Sequence, residues 1–250
     1  MKKNQLVQTF FYGCRVSLLL IPRSSTSQED DENETRFGYI VGTPNGPDRW
    51  SELDKGWFLC NNGTMQSPVD ILDDNVQVVS NLGRLNTSYM PSTATLVNRG
   101  RYIELRWDGD AGSLNIDGIE YELQQIHWHV PAEHTFNGVR NDLEAHLVHK
   151  SLTTGHTAVV GITYHIGPPD LFLAILAGDT EALIATREEE REAGIIDPNL
   201  VRIEEGNYYR YSGSLTVPPC DENVAWTLIQ KVCFSSTISF SQIVLMLMTH

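Results

Sequence analysis

Basic side chains are scarce in this chain: 18 Lys and Arg stand against 32 Asp and Glu, a formal net charge of -14 at pH 7. So little positive charge cannot grip a nucleic-acid backbone or an anionic membrane, and neither is expected as a partner. Long apolar runs are missing too, since no segment reaches the roughly eighteen consecutive apolar residues of a membrane span. No internal repeat is evident along the 250 residues, so one large domain with a sizeable core is the expectation. The His-Glu-x-x-His helix of a zinc protease is absent. Cysteine is sparse: Cys14 lies in the N-terminal segment, and Cys60, Cys220 and Cys233 allow one disulfide and one spare thiol at most. A disulfide requires an oxidising compartment.

What is present begins with a segment to set aside. Lys2 and Lys3 precede apolar stretches from Leu6 to Tyr12 and from Val16 to Ile21, and Ser and Thr follow, the order of a secretory signal. Arg15 interrupts the apolar region and no small-x-small cleavage site stands out; residues 1–27 are read as targeting sequence outside the fold. Residues 28–36, with the acidic run Glu29-Asp30-Asp31-Glu32-Asn33-Glu34, read as a solvated linker, and residues 37–250 as the domain. Sequons at Asn33, Asn62 and Asn86 agree with a glycoprotein of the secretory pathway. That route ends outside the cell or, alternatively, in a plastid.

From Phe37 onward, Gly and Pro turns separate segments rich in Val, Ile, Leu, Tyr and Thr. Thr95 to Asn98, Tyr102 to Trp107, Leu114 to Ile116, Ile119 to Val130, Leu143 to Lys150 and Thr157 to Ile166 read as strands. Asp108-Gly109 and Asp117-Gly118 read as tight turns between them. A helix is expected from about Asp170 to Leu176, a charged helical or irregular stretch from Glu181 to Glu192, and a last helix near Ser239 to Met248.

The chemistry is concentrated in histidines. His127 and His129 alternate along one strand and so share a face, and His146 sits on a neighbouring strand that can bring it opposite them. Three neutral imidazoles leave one position of a tetrahedral zinc ion open, as in a catalytic rather than a structural site. A lone His-x-His is weak evidence, but Gln125 and Glu144 each precede a ligand by two residues. Each can accept the far ring N–H, which fixes the tautomer and raises ligand basicity.

Five further segments carry a resemblance. Phe37-Gly38-Tyr39, Asn45-Gly46-Pro47-Asp48-Arg49-Trp50, Gln66-Ser67-Pro68-Val69-Asp70-Ile71, Pro131-Ala132-Glu133-His134-Thr135 and Tyr211-Ser212-Gly213-Ser214-Leu215-Thr216-Val217-Pro218-Pro219 follow in order, together with the histidines. The chain is identified from these as similar to the α-class carbonic anhydrases, most of all the plant secretory members. The resemblance runs from about Phe37 to Gln230. It implies a mainly β fold, one large twisted, mostly antiparallel sheet with short peripheral helices. It implies Zn2+ on His127, His129 and His146, with Gln125 and Glu144 behind them, and reversible hydration of carbon dioxide to bicarbonate by zinc-bound hydroxide. Thr216 and Glu133 become the pair that orients the attacking oxygen, Tyr39 and Asn98 order water in the cleft, and Val148, Val159, Leu215, Val217 and Trp226 line the carbon dioxide pocket. Cys60 and Cys220 are implied to form a disulfide, and the Ser67–Pro68 and Pro218–Pro219 bonds to be cis. His134 and His149 match internal structural positions, and Cys233 has no counterpart.

Two departures accompany the resemblance. Arg101 stands where fast members place a shuttle histidine, and a guanidinium cannot relay protons near neutrality. The chain also stops at His250, after the apolar Ile243-Val244-Leu245-Met246-Leu247-Met248, where the family continues into further strand and loop; exposed strand edges are expected. Beside the enzyme stands an alternative, a non-catalytic or weakly active storage or binding protein resembling dioscorin. On either reading the protein is a monomer or a dimer.

Overall fold

The computed structural model describes residues 37–79, 82–167, 170–203 and 207–235, the side chains of 166 and 230–235 excepted. The expected targeting segment, the expected acidic linker and the expected helix near Ser239 to Met248 lie outside the described residues. The strands are β1 (Asp70–Ile71), β2 (Asn86–Thr87), β3 (Ser92–Asn98), β4 (Ile103–Trp107), β5 (Ser113–Ile116), β6 (Ile119–His129), β7 (Thr135–Phe136), β8 (Val139–Arg140), β9 (Leu143–Lys150), β10 (Thr157–Ile166), β11 (Glu190–Ile196), β12 (Tyr208–Ser214) and β13 (Glu222–Ser235). Ten of them form one sheet, ordered β11-β3-β4-β6-β9-β10-β13-β12 with β5 also paired to β6 and β2 paired to β5, and β1, β7 and β8 make a small second sheet. Pairing is antiparallel except between β10 and β13 and between β1 and β7. The fold is therefore the mostly antiparallel sheet that the resemblance implied, with one parallel seam, β10 beside β13, one strand in from the β12 edge.

Alternation sorts each central strand onto two faces. Ile126 and Trp128 of β6, Leu143, Ala145 and Leu147 of β9, and Ala158, Val160 and Ile162 of β10 join one large core, covered by helix α1 (Leu171–Thr186) through Phe172, Leu173, Leu176 and Leu183. The opposite face carries Gln125, His127, His129, Glu144, His146 and Val148, with a smaller cluster of Phe136, Val159, Val224, Trp226 and Leu228 beside them.

Several sequence expectations need correction. Helix α1 runs ten residues past the expected Leu176, because Thr180 and Leu183 continue its buried face and Gly178 is tolerated within it. It starts on Asp170, whose carboxylate accepts from Leu173 N at 3.0 Å, and ends on Arg187 in the left-handed region. The charged stretch after it is neither helical nor irregular from Glu190: β11 pairs with β3 along the sheet edge, where charged side chains face water. β12 and β13 were absent from the expected strands. Asp117-Gly118 is the tight turn joining β5 to β6, both residues at positive φ. Asp108-Gly109 instead opens a longer connection, since β4 pairs with β3 and β6 and not with β5. Both expected cis bonds are present, with a third at Val130–Pro131. Among the described residues β12 ends the sheet, and a cavity of about 860 Å³ separates its edge from the segment containing Ile71, Leu72, Val76 and Val79.

Candidate metal centre

Register brings the three imidazoles together. β6 and β9 pair so that His127 lies directly opposite His146, with His129 opposite Glu144. A register shift between Leu123 and Gln125 precedes this stretch, and the extra residue matters because a slip of one would turn the histidines onto the core face. The ring centroids lie 4.9 Å apart for His127 and His129, 5.2 Å for His127 and His146, and 4.7 Å for His129 and His146. One nitrogen from each lies within 4.8 Å of the others.

Hydrogen bonds at the far nitrogens select which atoms face inward. His127 Nδ1–H donates to Gln125 Oε1 at 2.9 Å, leaving its Nε2 toward the cluster. His146 Nε2–H donates to Glu144 Oε1 at 2.8 Å, leaving Nδ1. His129 Nε2 is buried and takes no hydrogen bond. Buried polar nitrogens seldom lack a partner, and a set of imidazoles so arranged suits a zinc ion. Burial, then the neighbouring His129 and His146, holds His127 well below the usual imidazole range, and burial takes His129 to about 4. Both are neutral near pH 7, the form that ligates. His146 is raised: burial lowers it, but the charge and hydrogen bond of Glu144 outweigh burial.

Glu144 is the hub behind the ligands. Its carboxylate is fully buried and accepts four N–H groups: His134 Nδ1 at 2.6 Å and His146 Nε2 at 2.8 Å on one oxygen, and the backbone of Glu133 and His134, each at 2.8 Å, on the other. Burial raises its pKa, and the facing His146 and His134 with their hydrogen bonds more than reverse this, so it stays ionised. The donors then have one consistent direction. Because His134 Nδ1–H serves Glu144, its Nε2 accepts from Tyr211 OH at 2.7 Å. Tyr211 in turn accepts from Ser67 Oγ at 2.8 Å, and Ser67 Oγ accepts from Ser214 N at 3.1 Å. His134, Glu144 and His146 also satisfy a metal-site spacing. Their facing atoms are spent on one another, so they brace the first trio and do not form a second site.

Of the other expected residues, Glu133 comes nearest. Its Oε1 lies 3.5 Å from His129 Nδ1 and its Oε2 3.9 Å from His146 Nδ1. Glu133 Oε2 is buried without a hydrogen bond, so the expected link to the Thr216 hydroxyl is not closed. Thr216 is half-buried in the loop leaving β12, which the Cys60–Cys220 disulfide holds at its far end. Val148, Val159, Leu215 and Trp226 share one apolar cluster, and Trp226 packs 4.9 Å from His146. Val217 does not join them; it packs with Phe37, Trp50, Trp57 and Cys220. Asn98 spends its side-chain oxygen on Gly100 N at 2.8 Å, capping the β3–β4 turn, and Tyr39 is an exposed ring stacked edge-on with Phe37 and Trp50. The Arg101 guanidinium lies 4.3 Å from the Phe37 ring centre. Sequence reasoning gave no role to Tyr102, whose ring lies 4.8 Å from His127, or to Tyr211, which figured only as the first residue of the segment containing Thr216.

Fold and site together define a β-sheet protein with a largely buried three-histidine centre on one face of the sheet. The family model for eukaryotic-type carbonic anhydrases matches residues 45–249. Alpha carbonic anhydrase 7 of Arabidopsis thaliana is 45% identical over 216 residues, covering 86% of this chain and 78% of that protein. A crystal structure of dioscorin complexed with ascorbate superposes with a TM-score of 0.80 at 40% identity, covering 83% of this chain and 86% of that one. The α-carbonic anhydrase of Thermovibrio ammonificans, in complex with the inhibitor sulfanilamide, gives 0.75 at 30% identity over 84% and 90%. This chain belongs to the eukaryotic-type carbonic anhydrase family.

Proposed function

We propose that the chain hydrates carbon dioxide reversibly to bicarbonate and a proton, with zinc held by His127 Nε2, His129 Nε2 and His146 Nδ1. The observation that carries this reading is the orphaned, buried His129 Nε2 between two imidazoles whose far nitrogens are already committed. Zinc in such a site brings the pKa of a water ligand to about 7, the established figure for carbonic anhydrases. Gln125 and Glu144 fix the ring tautomers, and Glu144 also pins the Glu133 backbone, so the Glu133 carboxylate stands at the site in a set position. Closing the Thr216 hydroxyl onto Glu133 Oε2 satisfies that buried oxygen and leaves Thr216 able to accept only from a protonated oxygen. The gain is orientation. Val148, Val159, Leu215 and Trp226 supply a dry wall against which an apolar gas rests.

Arg101 leaves no imidazole to carry protons outward. Hydration in weak buffer is therefore expected to be slow and to accelerate as imidazole is added; rates independent of imidazole count against this. The Cys60–Cys220 bridge supports an oxidising compartment, with residues 1–27 as the targeting segment and Asn62 and Asn86, both exposed, as glycan acceptors. A second reading, storage or binding without turnover, is favoured by the likeness to dioscorin and by Arg101. Metal analysis and a hydration assay on the chain and on His127→Ala separate the two. One zinc per chain with turnover, both lost in the variant, supports the enzyme, whereas zinc without turnover selects storage or binding.

A further inference from the structure

Two aromatic side chains bracket the imidazoles. Trp226 stands 4.9 Å from His146, and Tyr102 stands on the other side, 4.8 Å from His127 at an interplanar angle of 40° and 6.0 Å from His129 at 44°. Tyr102 is held there by the β3–β4 turn. Asn98 Oδ1 accepts from Gly100 N at 2.8 Å, Gly100 takes a φ of 78°, and Arg99 N donates to Tyr102 O at 3.1 Å. The next residue, Ile103, is fully buried and anchors the start of β4, while Arg101 turns away onto Phe37.

Burial shows where the centre opens. His129 and His146 are buried, but His127 is only half-buried, so the imidazole of the trio most open to solvent is the one beside which Tyr102 stands. An aromatic side chain occupies a large, rigid area at such a point. Resting on the metal-centre reading above, we propose that Tyr102 determines which ligands reach the metal by size. Compact triatomic or tetratomic ligands pass between Tyr102 and the Trp226 wall, and arenes carrying bulky substituents are hindered by the phenol ring. Shape, not the hydroxyl, does this.

Cobalt-loaded full-length chain reports binding through its visible absorption, without recourse to turnover. Thiocyanate, sulfanilamide and a benzenesulfonamide with a bulky ring substituent are titrated into the wild type, Tyr102→Ala and Tyr102→Phe. Expected is a gain of about tenfold or more in affinity for the bulky sulfonamide in Tyr102→Ala, a size effect of the order that pocket fit supplies. Thiocyanate affinity stays within about twofold, and Tyr102→Phe matches the wild type. The proposal is overturned if Tyr102→Ala leaves the ratio of bulky to small ligand unchanged, loses thiocyanate binding as well, or if Tyr102→Phe opens the site equally. A wild type that takes up no cobalt overturns the metal-centre reading itself, a result distinct from the others because thiocyanate then evokes no spectrum in any variant.

Discussion

His149 lies three residues beyond His146 on β9 and therefore on the opposite face of the sheet, in the core. Its Nδ1–H donates to Ala158 O at 3.2 Å, its Nε2 accepts from Tyr89 OH at 2.6 Å, and the two rings stack at 15°. Burial takes it to about 4, only partly offset by the backbone bonds. An unfolded chain protonates this ring near pH 6.5, so the folded state binds fewer protons between the two values. Stability is full above about 6.5 and falls as pH drops toward 4, by about 3 kcal/mol for this group. Urea unfolding across that range is expected to show the loss, and His149→Gln to flatten it; nitrogen NMR should find the native ring neutral at pH 5. Glu133 poses the opposite test, because it borders the metal site without belonging to the trio. Glu133→Gln is expected to retain stoichiometric zinc while slowing hydration on the order of 100-fold through lost orientation. Loss of zinc together with turnover would assign Glu133 to metal binding instead.

Among the elements, β10 bears most directly on the site. Gly161 faces His146 across one edge of the strand and Leu228 across the other. A Cβ there would come within 2.7 Å of Leu228 Cδ2 and 3.0 Å of Glu144 Oε1. Gly161→Ala is therefore expected to cost about 1–3 kcal/mol in overpacking and to weaken zinc retention by displacing Glu144, measurable by chemical unfolding and by competition with a chelator. The same strands show how far alternation along the sequence reveals the fold. β6 and β9 were legible because each buries a mainly apolar face and turns the three candidate ligands, His127, His129 and His146, with their acceptors to the other. β13 was not, since Val224, Trp226, Thr227, Leu228 and Ile229 are buried on both faces and leave no alternation. β11 was misread because its Glu and Arg residues suit a helix by propensity, and only its pairing with β3 makes it a strand. At the site, spacing disclosed the ligands and their acceptors. Tyr102, Tyr211 and the placing of Val217 depend on how a turn and a loop are aimed, which periodicity does not record.

At the scale of the molecule, the Cys60–Cys220 bridge spans 160 residues and fastens the short N-terminal helical turns to the loop that carries Thr216. Closing so long a loop restricts the unfolded chain, and reduction is expected to lower unfolding stability by about 2–5 kcal/mol, read from denaturant midpoints with and without reductant. A reduced chain of unchanged midpoint would show that the loop is held by the packing of Phe37, Trp50, Trp57 and Val217 alone. The parallel seam carries a different consequence. β13 follows every other described strand in the chain, yet it lies inside the sheet between β10 and β12 and contributes Trp226. The histidine-bearing strands thus leave the ribosome well before β13, and the Trp226 side of the imidazole rim can be walled in only after that later strand has been made.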